Sequence, residues 1–181
     1  MKPLLENWRK FLKEEAIAPY RDQLEFTEDG DIIMYHVSSD KEITRLDPTV
    51  ARQKAKSYTR REYKTWDRPR VFFFTKKGQK DPSVGRISGR AYVAKVDPKT
   101  LYPIFVDPNK YNTTENREVY KKKREETQKI PSYYPVNGFE FMASMAEDDG
   151  FHGFIYPHGK EGLIVAMWNP IDVEPLEDDF Y

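Results

Sequence analysis

The stretch "IIMYHV", residues 32–37, is a short apolar run that follows the turn signal Asp-Gly-Asp at residues 29–31. Its length and its composition predict a β-strand. His36 lies near the end of this strand, and Ser38 follows two residues later. A histidine in this position is either a core or rim residue with a backbone partner or part of a ligand site, and the rest of the sequence bears on that choice.

The composition indicates one domain with an aromatic core. A chain of 181 residues suits a single domain, and 14% of its residues are aromatic. It has 30 basic and 30 acidic side chains, so the net charge gives no electrostatic reason to expect a nucleic-acid partner. There is no cysteine, which excludes disulfides and thiolate chemistry and fits a cytoplasmic protein. No apolar run approaches the ~20 residues that span a bilayer, so we expect no membrane partner.

Other apolar runs predict further strands at residues 70–75, 91–97 and 101–107, with two more in the late runs "FHGFIYP" and "GLIVAMWNP". Helices are predicted over residues 114–129, with Thr113 or Thr114 as the N-cap, and before Gly150. Strands and helices do not alternate as in βαβ units. We therefore expect an α+β domain with a mixed or antiparallel sheet over residues 31–175, followed by a loosely held acidic tail over residues 176–181.

The N-terminal segment, residues 1–20, predicts an amphipathic helix that ends near Pro19. Its apolar residues recur with the helical period, as the following positions show: Leu4, Leu5, Trp8, Phe11 and Leu12. Such a helix packs on its own domain, docks onto a partner protein or lies on a membrane surface. Acidic residues interrupt its basic face, which argues against the membrane.

Two kinds of catalytic site lack their usual motifs. The three histidines, His36, His152 and His158, occur in no spacing typical of a metal site, so we expect no dedicated metal. There is also no G-x-S-x-G elbow that would identify an activated serine.

Three stretches taken together suggest a family. They are the strand ending in His36 and Ser38, the aromatic run "FFFT", and the late strand "GLIVAMWNP" after "GFHGFIYPHGKE". Their order resembles the ADP-ribosyltransferase fold of the diphtheria-toxin and poly-ADP-ribose-polymerase branch, whose strands carry H-G-[ST], Y-F-[AST] and E-Y-[IV]-V-[YF]-[DN]. The late stretch also resembles the ending of phage-borne and toxin-like members, and "LLENWRKFLKE" resembles openings of tailed-phage proteins.

The resemblance implies NAD as a substrate and gives roles to individual residues. His36 would hold a ribose hydroxyl and the nicotinamide amide, Ser38 would support the nicotinamide ribose, and Phe73 stands where a tyrosine stacks on the nicotinamide. The basic loop that contains Arg52 would meet the pyrophosphate. A carboxylate would stabilise the oxocarbenium-like transition state.

The third motif departs from the family pattern. Aligning "WNP" with the motif's end places Ile164 where glutamate is expected, and Glu161 lies three residues earlier. Glu161 is the candidate third catalytic residue beside His36 and Phe73, provided that a bulge shifts the register. Val37 also replaces the usual glycine after the histidine.

The resemblance therefore implies mono-ADP-ribosyl transfer from NAD to a macromolecular acceptor such as a protein, with the Gly-rich stretch 76–90 as the candidate acceptor contact. Two alternatives stay open. One is a non-enzymatic structural or partner-binding phage virion protein that keeps the fold, and the other is an unrelated α+β domain with no site. A phage protein of this kind would act in the host cytoplasm or in the virion.

Overall fold

The structure is a computed structural model, and it describes residues 22–40, 42–50, 70–79, 88–128, 139–158 and 162–180. The predicted N-terminal helix, the loop with Arg52, and Glu161 lie outside the described residues. The strands are β1 (Glu25–Phe26), β2 (Ile32–Ser38), β3 (Arg45–Leu46), β4 (Val71–Phe74), β5 (Arg90–Val96), β6 (Leu101–Pro103), β7 (Gly153–Pro157), β8 (Leu163–Met167), β9 (Ile171–Asp172) and β10 (Glu174–Pro175). Two α-helices lie wholly within the described ranges, α1 (Thr114–Gln128) and α2 (Glu140–Asp148), and a 3₁₀ turn spans Pro98–Thr100.

One large sheet forms the centre of the described fold. Its strand order is β10-β5-β2-β4-β8-β7-β6, and β1 pairs with β2 beside this path. Every pairing is antiparallel except that of β6 with β7, which is parallel. Strands β3 and β9 form a separate two-stranded sheet. The expected α+β class with a mixed, mostly antiparallel sheet is therefore confirmed.

Both faces of the large sheet are covered, which explains why its central strands are continuous apolar runs. Successive side chains of a strand point to opposite faces. The His36 face, as we name it, carries Met34, His36, Phe73, Tyr92, Leu163 and Val165. The Tyr35 face carries Tyr35, Phe74, Ala91, Phe154, Ile164 and Ala166.

The two helices follow the predicted boundaries closely. Helix α1 begins after Thr113, whose Oγ1 accepts a hydrogen bond from the Asn116 backbone N–H at 3.1 Å, so Thr113 is the N-cap. Helix α2 buries Met142, Ala143 and Ala146 against Phe154 and its neighbours on the Tyr35 face. Gly150 follows with a φ of 89°, as expected of a C′ glycine.

The C-terminal tail is held more firmly than the sequence suggests. Phe180 is only 7% exposed and packs with Tyr35 and Phe74 on the Tyr35 face. The Leu176 backbone N–H also donates to the Ala91 carbonyl at 2.9 Å. The acidic composition of residues 176–179 predicts solvation for the whole segment, so the burial of Phe180 could not be expected from the sequence.

Candidate functional site

His36 lies in the middle of the large sheet, on a strand with a neighbour on each side. It is opposite Tyr92 of β5, and on the other side the pairing of Tyr35 with Phe74 brings His36 level with Phe73 of β4. The centroids of the His36 and Phe73 rings are 5.6 Å apart, with the ring planes inclined by 57°. Two residues that are distant in the sequence, both predicted for the site, are therefore in contact.

A hydrogen bond to the backbone fixes the chemical state of His36. Its Nδ1 lies 2.9 Å from the Phe72 carbonyl oxygen. Because a carbonyl oxygen only accepts, Nδ1 carries the proton and donates it. Burial lowers the pKa of His36 below its ordinary value, although the bond to Phe72 opposes this shift. The ring is therefore neutral near pH 7, and Nε2 is a lone-pair acceptor that suits a hydroxyl donor such as that of a ribose.

Phe73 is a core residue in this arrangement. It is 1% exposed and belongs to the apolar cluster on the His36 face with Met34 and Val165. Its ring packs against His36 and presents almost no surface to solvent. Stacking on a nicotinamide, the role that the resemblance gives it, would require the side chains around it to move.

The late strand places Ile164 on the other side of the sheet. Phe73 pairs with Val165, whereas Phe74 pairs with Ile164. Paired residues of antiparallel strands share a face, so Ile164 points away from His36 and packs with Tyr35 and Phe74. An acid at position 164 would consequently not face His36. The position of Glu161, like that of Arg52, lies outside the described residues.

Ser38 is on the same face as His36, at the end of β2 where the chain turns. Its Oγ accepts a hydrogen bond from the Asp40 backbone N–H at 3.2 Å. A hydroxyl that accepts can still donate, so Ser38 keeps a donor for a ligand while it holds the turn. The Tyr92 hydroxyl donates to the Asp40 carbonyl at 2.7 Å and ties the same turn to β5.

Two residues beside this turn escaped prediction from the sequence. Tyr92 was part of a predicted strand, but its position opposite His36 depends on the strand register. Gly89 was one of several glycines in a loop. A Cβ atom on Gly89 would lie 2.3 Å from the Ser38 carbonyl oxygen, so only glycine fits this close approach. The alternating pattern of residues 91–97 is the signal that could have indicated Tyr92.

The described residues contain neither a metal-ion cluster nor a helix that could cross a bilayer. They contain no group of three or more His, Asp or Glu side chains arranged to hold a metal ion. None of the helices within the described ranges has the length and apolar character needed to cross a bilayer.

The candidate site thus consists of a neutral imidazole, a hydroxyl and a tyrosine-anchored turn at one end of β2. Comparison of the chain with protein-family models, with curated proteins and with solved structures found no match.

Proposed function

We propose that this chain is an ADP-ribosyltransferase-like domain that binds NAD beside His36 and transfers ADP-ribose to a macromolecular acceptor. The observation that carries the proposal is the meeting of His36 and Phe73 across neighbouring strands, with ring centroids 5.6 Å apart. The family resemblance places a histidine and an aromatic ring, usually that of tyrosine, at one site, and nothing in the sequence spacing alone would bring His36 and Phe73 together.

The state of His36 agrees with the role proposed for it. A neutral imidazole whose Nδ1–H donates a hydrogen bond to Phe72 can accept a hydrogen bond from a ribose hydroxyl at Nε2 without placing a positive charge near the sugar. That matters because the bond between the ribose C1′ and the nicotinamide nitrogen breaks with its electron pair going to nicotinamide. Positive charge then develops on the sugar, and a nearby imidazolium would oppose it.

Glu161 and the acceptor are the proposed sources of the carboxylate that balances this charge. Ile164 cannot supply it, since it is apolar and packs on the Tyr35 face. Transfer is complete when a nucleophile of the acceptor bonds to C1′ and loses its proton; with water as the nucleophile, the products are ADP-ribose and nicotinamide. Hydrolysis of NAD therefore gives an assay that does not need the acceptor.

A second candidate is a non-enzymatic domain that binds a protein partner and uses the same fold as a scaffold. Two observations favour it: Phe73 is 1% exposed, and Ile164 points to the opposite face from His36. In this case His36 is a structural residue that joins β2 to β4 through the Phe72 carbonyl.

Nicotinamide release and NAD-induced thermal stabilisation separate the two candidates. We expect wild type to do both, and His36→Ala to lose activity by roughly five- to twelvefold, since one hydrogen bond to a ligand is worth about 1–1.5 kcal/mol. His152→Ala is the matched control, because His152 is exposed and its described hydrogen bonds are made by its backbone.

Glu161→Gln tests the source of the carboxylate in the same assay. If NAD stabilises Glu161→Gln but the variant releases no nicotinamide, Glu161→Gln binds NAD without catalysis. If wild type neither released nicotinamide nor gained stability from NAD, the transferase proposal would be refuted, and the scaffold would be the better account.

A further inference from the structure

Among the central strands of the large sheet, β2 and β4 have the shortest backbone pairing. Strand β2 pairs with β5 along its whole length, from Ile32 with Val96 to Ser38 with Arg90. By contrast, the described residues of β2 and β4 are in register at one pair, Tyr35 with Phe74. Backbone pairing therefore contributes little to holding these two strands together.

Among the described residues, one side chain on each face of the sheet bridges this junction through a contact with its partner strand. On the His36 face, His36 Nδ1 donates to the Phe72 carbonyl at 2.9 Å. On the Tyr35 face, the Phe180 ring lies against both strands, with its centroid 5.7 Å from that of Tyr35 and 5.6 Å from that of Phe74. The residues that Phe180 contacts are thus the immediate chain neighbours of His36 and Phe73.

The tail reaches this point by a defined route. Strand β10 pairs with β5, and the Leu176 backbone N–H then donates to Ala91. Lys77 Nζ lies 3.4 Å from an Asp178 carboxylate oxygen, with exposed fractions of 38% and 82% for the two side chains. An ion pair so exposed contributes little, so the buried Phe180 ring is the stronger of these two side-chain contacts.

We propose that Phe180 is a positioning residue for His36, because its ring fixes the spacing of β2 and β4 from the opposite side of the sheet. Without the ring, Tyr35 and Phe74 lose an aromatic partner that they share. The strands can then separate at their single registered pair, and the distance from His36 to the Phe72 carbonyl increases. The imidazole then loses the bond that sets its tautomer. The relevance of this positioning to NAD rests on the function proposed above, but the effect on His36 does not.

The test follows the ring nitrogens of His36 by NMR in protein labelled with ¹⁵N-histidine. The chain has three histidines, so His152→Ala and His158→Ala variants assign the signals. We expect wild type to show the Nδ1-protonated tautomer with a slowly exchanging ring proton. In Phe180→Ala we expect mixed tautomers and a loss of proton protection of about tenfold, the upper range for one hydrogen bond. Phe180→Tyr keeps the ring and should restore the wild-type pattern.

A matched variant controls for general loosening of the fold. Phe151 packs on Tyr102, with ring centroids 5.2 Å apart, in the cluster under the helices and away from β2 and β4. Phe151→Ala should lower stability and leave the His36 signals unchanged. If Phe180→Ala does not yield folded protein, Phe180→Leu provides the comparison, because it keeps apolar bulk without the aromatic contacts.

An unchanged His36 tautomer in Phe180→Ala would overturn the inference, and so would an equal change in Phe151→Ala. NAD hydrolysis by the same proteins separates this inference from the proposed function. If wild type is inactive and does not respond to NAD but the His36 signals change in Phe180→Ala, the positioning role stands and the transferase proposal fails. If wild type is active and Phe180→Ala keeps both the tautomer and the activity, the positioning role fails alone.

Discussion

The ion pair between Arg70 and Glu140 connects the start of β4 to the first turn of α2. Arg70 Nη1 and Nη2 lie 2.5 and 2.9 Å from the two carboxylate oxygens of Glu140, so the pair is bidentate. Each side chain is 2% exposed, and the Arg70 guanidinium lies 5.0 Å from the centroid of the Phe154 ring. Glu140→Gln keeps the shape of the side chain and removes its charge, so the buried guanidinium loses the Glu140 carboxylate.

The expected cost follows from burial. Removing one partner of a buried ion pair destabilises a protein by about 3–5 kcal/mol, because the remaining charge has lost both water and its partner. Glutamine retains some hydrogen bonding, so we expect about 3 kcal/mol for Glu140→Gln. In a chain of this size, that loss lowers the melting temperature by about 6–12 °C. The double variant Arg70→Met, Glu140→Leu removes both charges and should recover most of the loss.

A surface ion pair of the same chemistry is the control. Arg45 Nη1 lies 3.0 Å from an Asp172 carboxylate oxygen, but the two side chains are 59% and 79% exposed. Asp172→Asn should therefore cost at most about 1 kcal/mol. Urea unfolding at pH 7, followed by circular dichroism, gives all four free energies. Equal losses in Glu140→Gln and Asp172→Asn, or a double variant less stable than Glu140→Gln, would refute the reasoning from burial.

Three further predictions concern the candidate site. Phe73→Ala should lower the free energy of unfolding by about 3–5 kcal/mol and Phe72→Ala by about 1 kcal/mol or less, because the exposed fractions of Phe73 and Phe72 are 1% and 37%. Similar losses for the two variants in urea unfolding would contradict the assignment of faces. Burial holds the pKa of folded His36 below the unfolded value of about 6.5, so the contribution of His36 to stability is complete above that pH and is lost as the pH falls through the folded pKa. Urea midpoints from pH 7.5 to 5 should therefore fall less in His36→Asn than in wild type. Parallel curves for the two proteins would argue against a lowered His36 pKa. Gly89→Ala should cost about 1–3 kcal/mol, because the new methyl group meets the Ser38 carbonyl, and a wild-type melting temperature would show that the loop adapts.

The central strands were predictable from the sequence because each is an apolar run of strand length. Residues 32–37 and 70–75 correspond to Ile32–Ser38 and Val71–Phe74 in the structure. The two-residue strands β1, β3, β9 and β10 were not predictable, since two residues carry no periodic signal. The order of strands in the sheet was also beyond the sequence, because it depends on contacts between residues far apart in the chain.

The faces and registers of the candidate site were also beyond prediction from the sequence. The resemblance predicted His36 and Phe73 at one site, and their ring centroids are 5.6 Å apart in the structure. It gave no means of telling which faces the side chains of the strands occupy. The runs "VFFF" and "LIVAM" are apolar at every position, so neither contains the alternation that reveals a buried face. The register of β4 with β8, which places Ile164 on the Tyr35 face, could only come from the structure.

The parallel pairing of β6 with β7 bears on the order in which the sheet assembles. The connection between these strands spans residues 104–152 and includes both helices, whereas β7 and β8 are joined by residues 158–162 alone. A short connection closes quickly, whereas closing a long connection costs more conformational entropy before the strand contacts stabilise it. During refolding, β7 and β8 should therefore associate first, and β6 should be added at the rim once the intervening helices have docked.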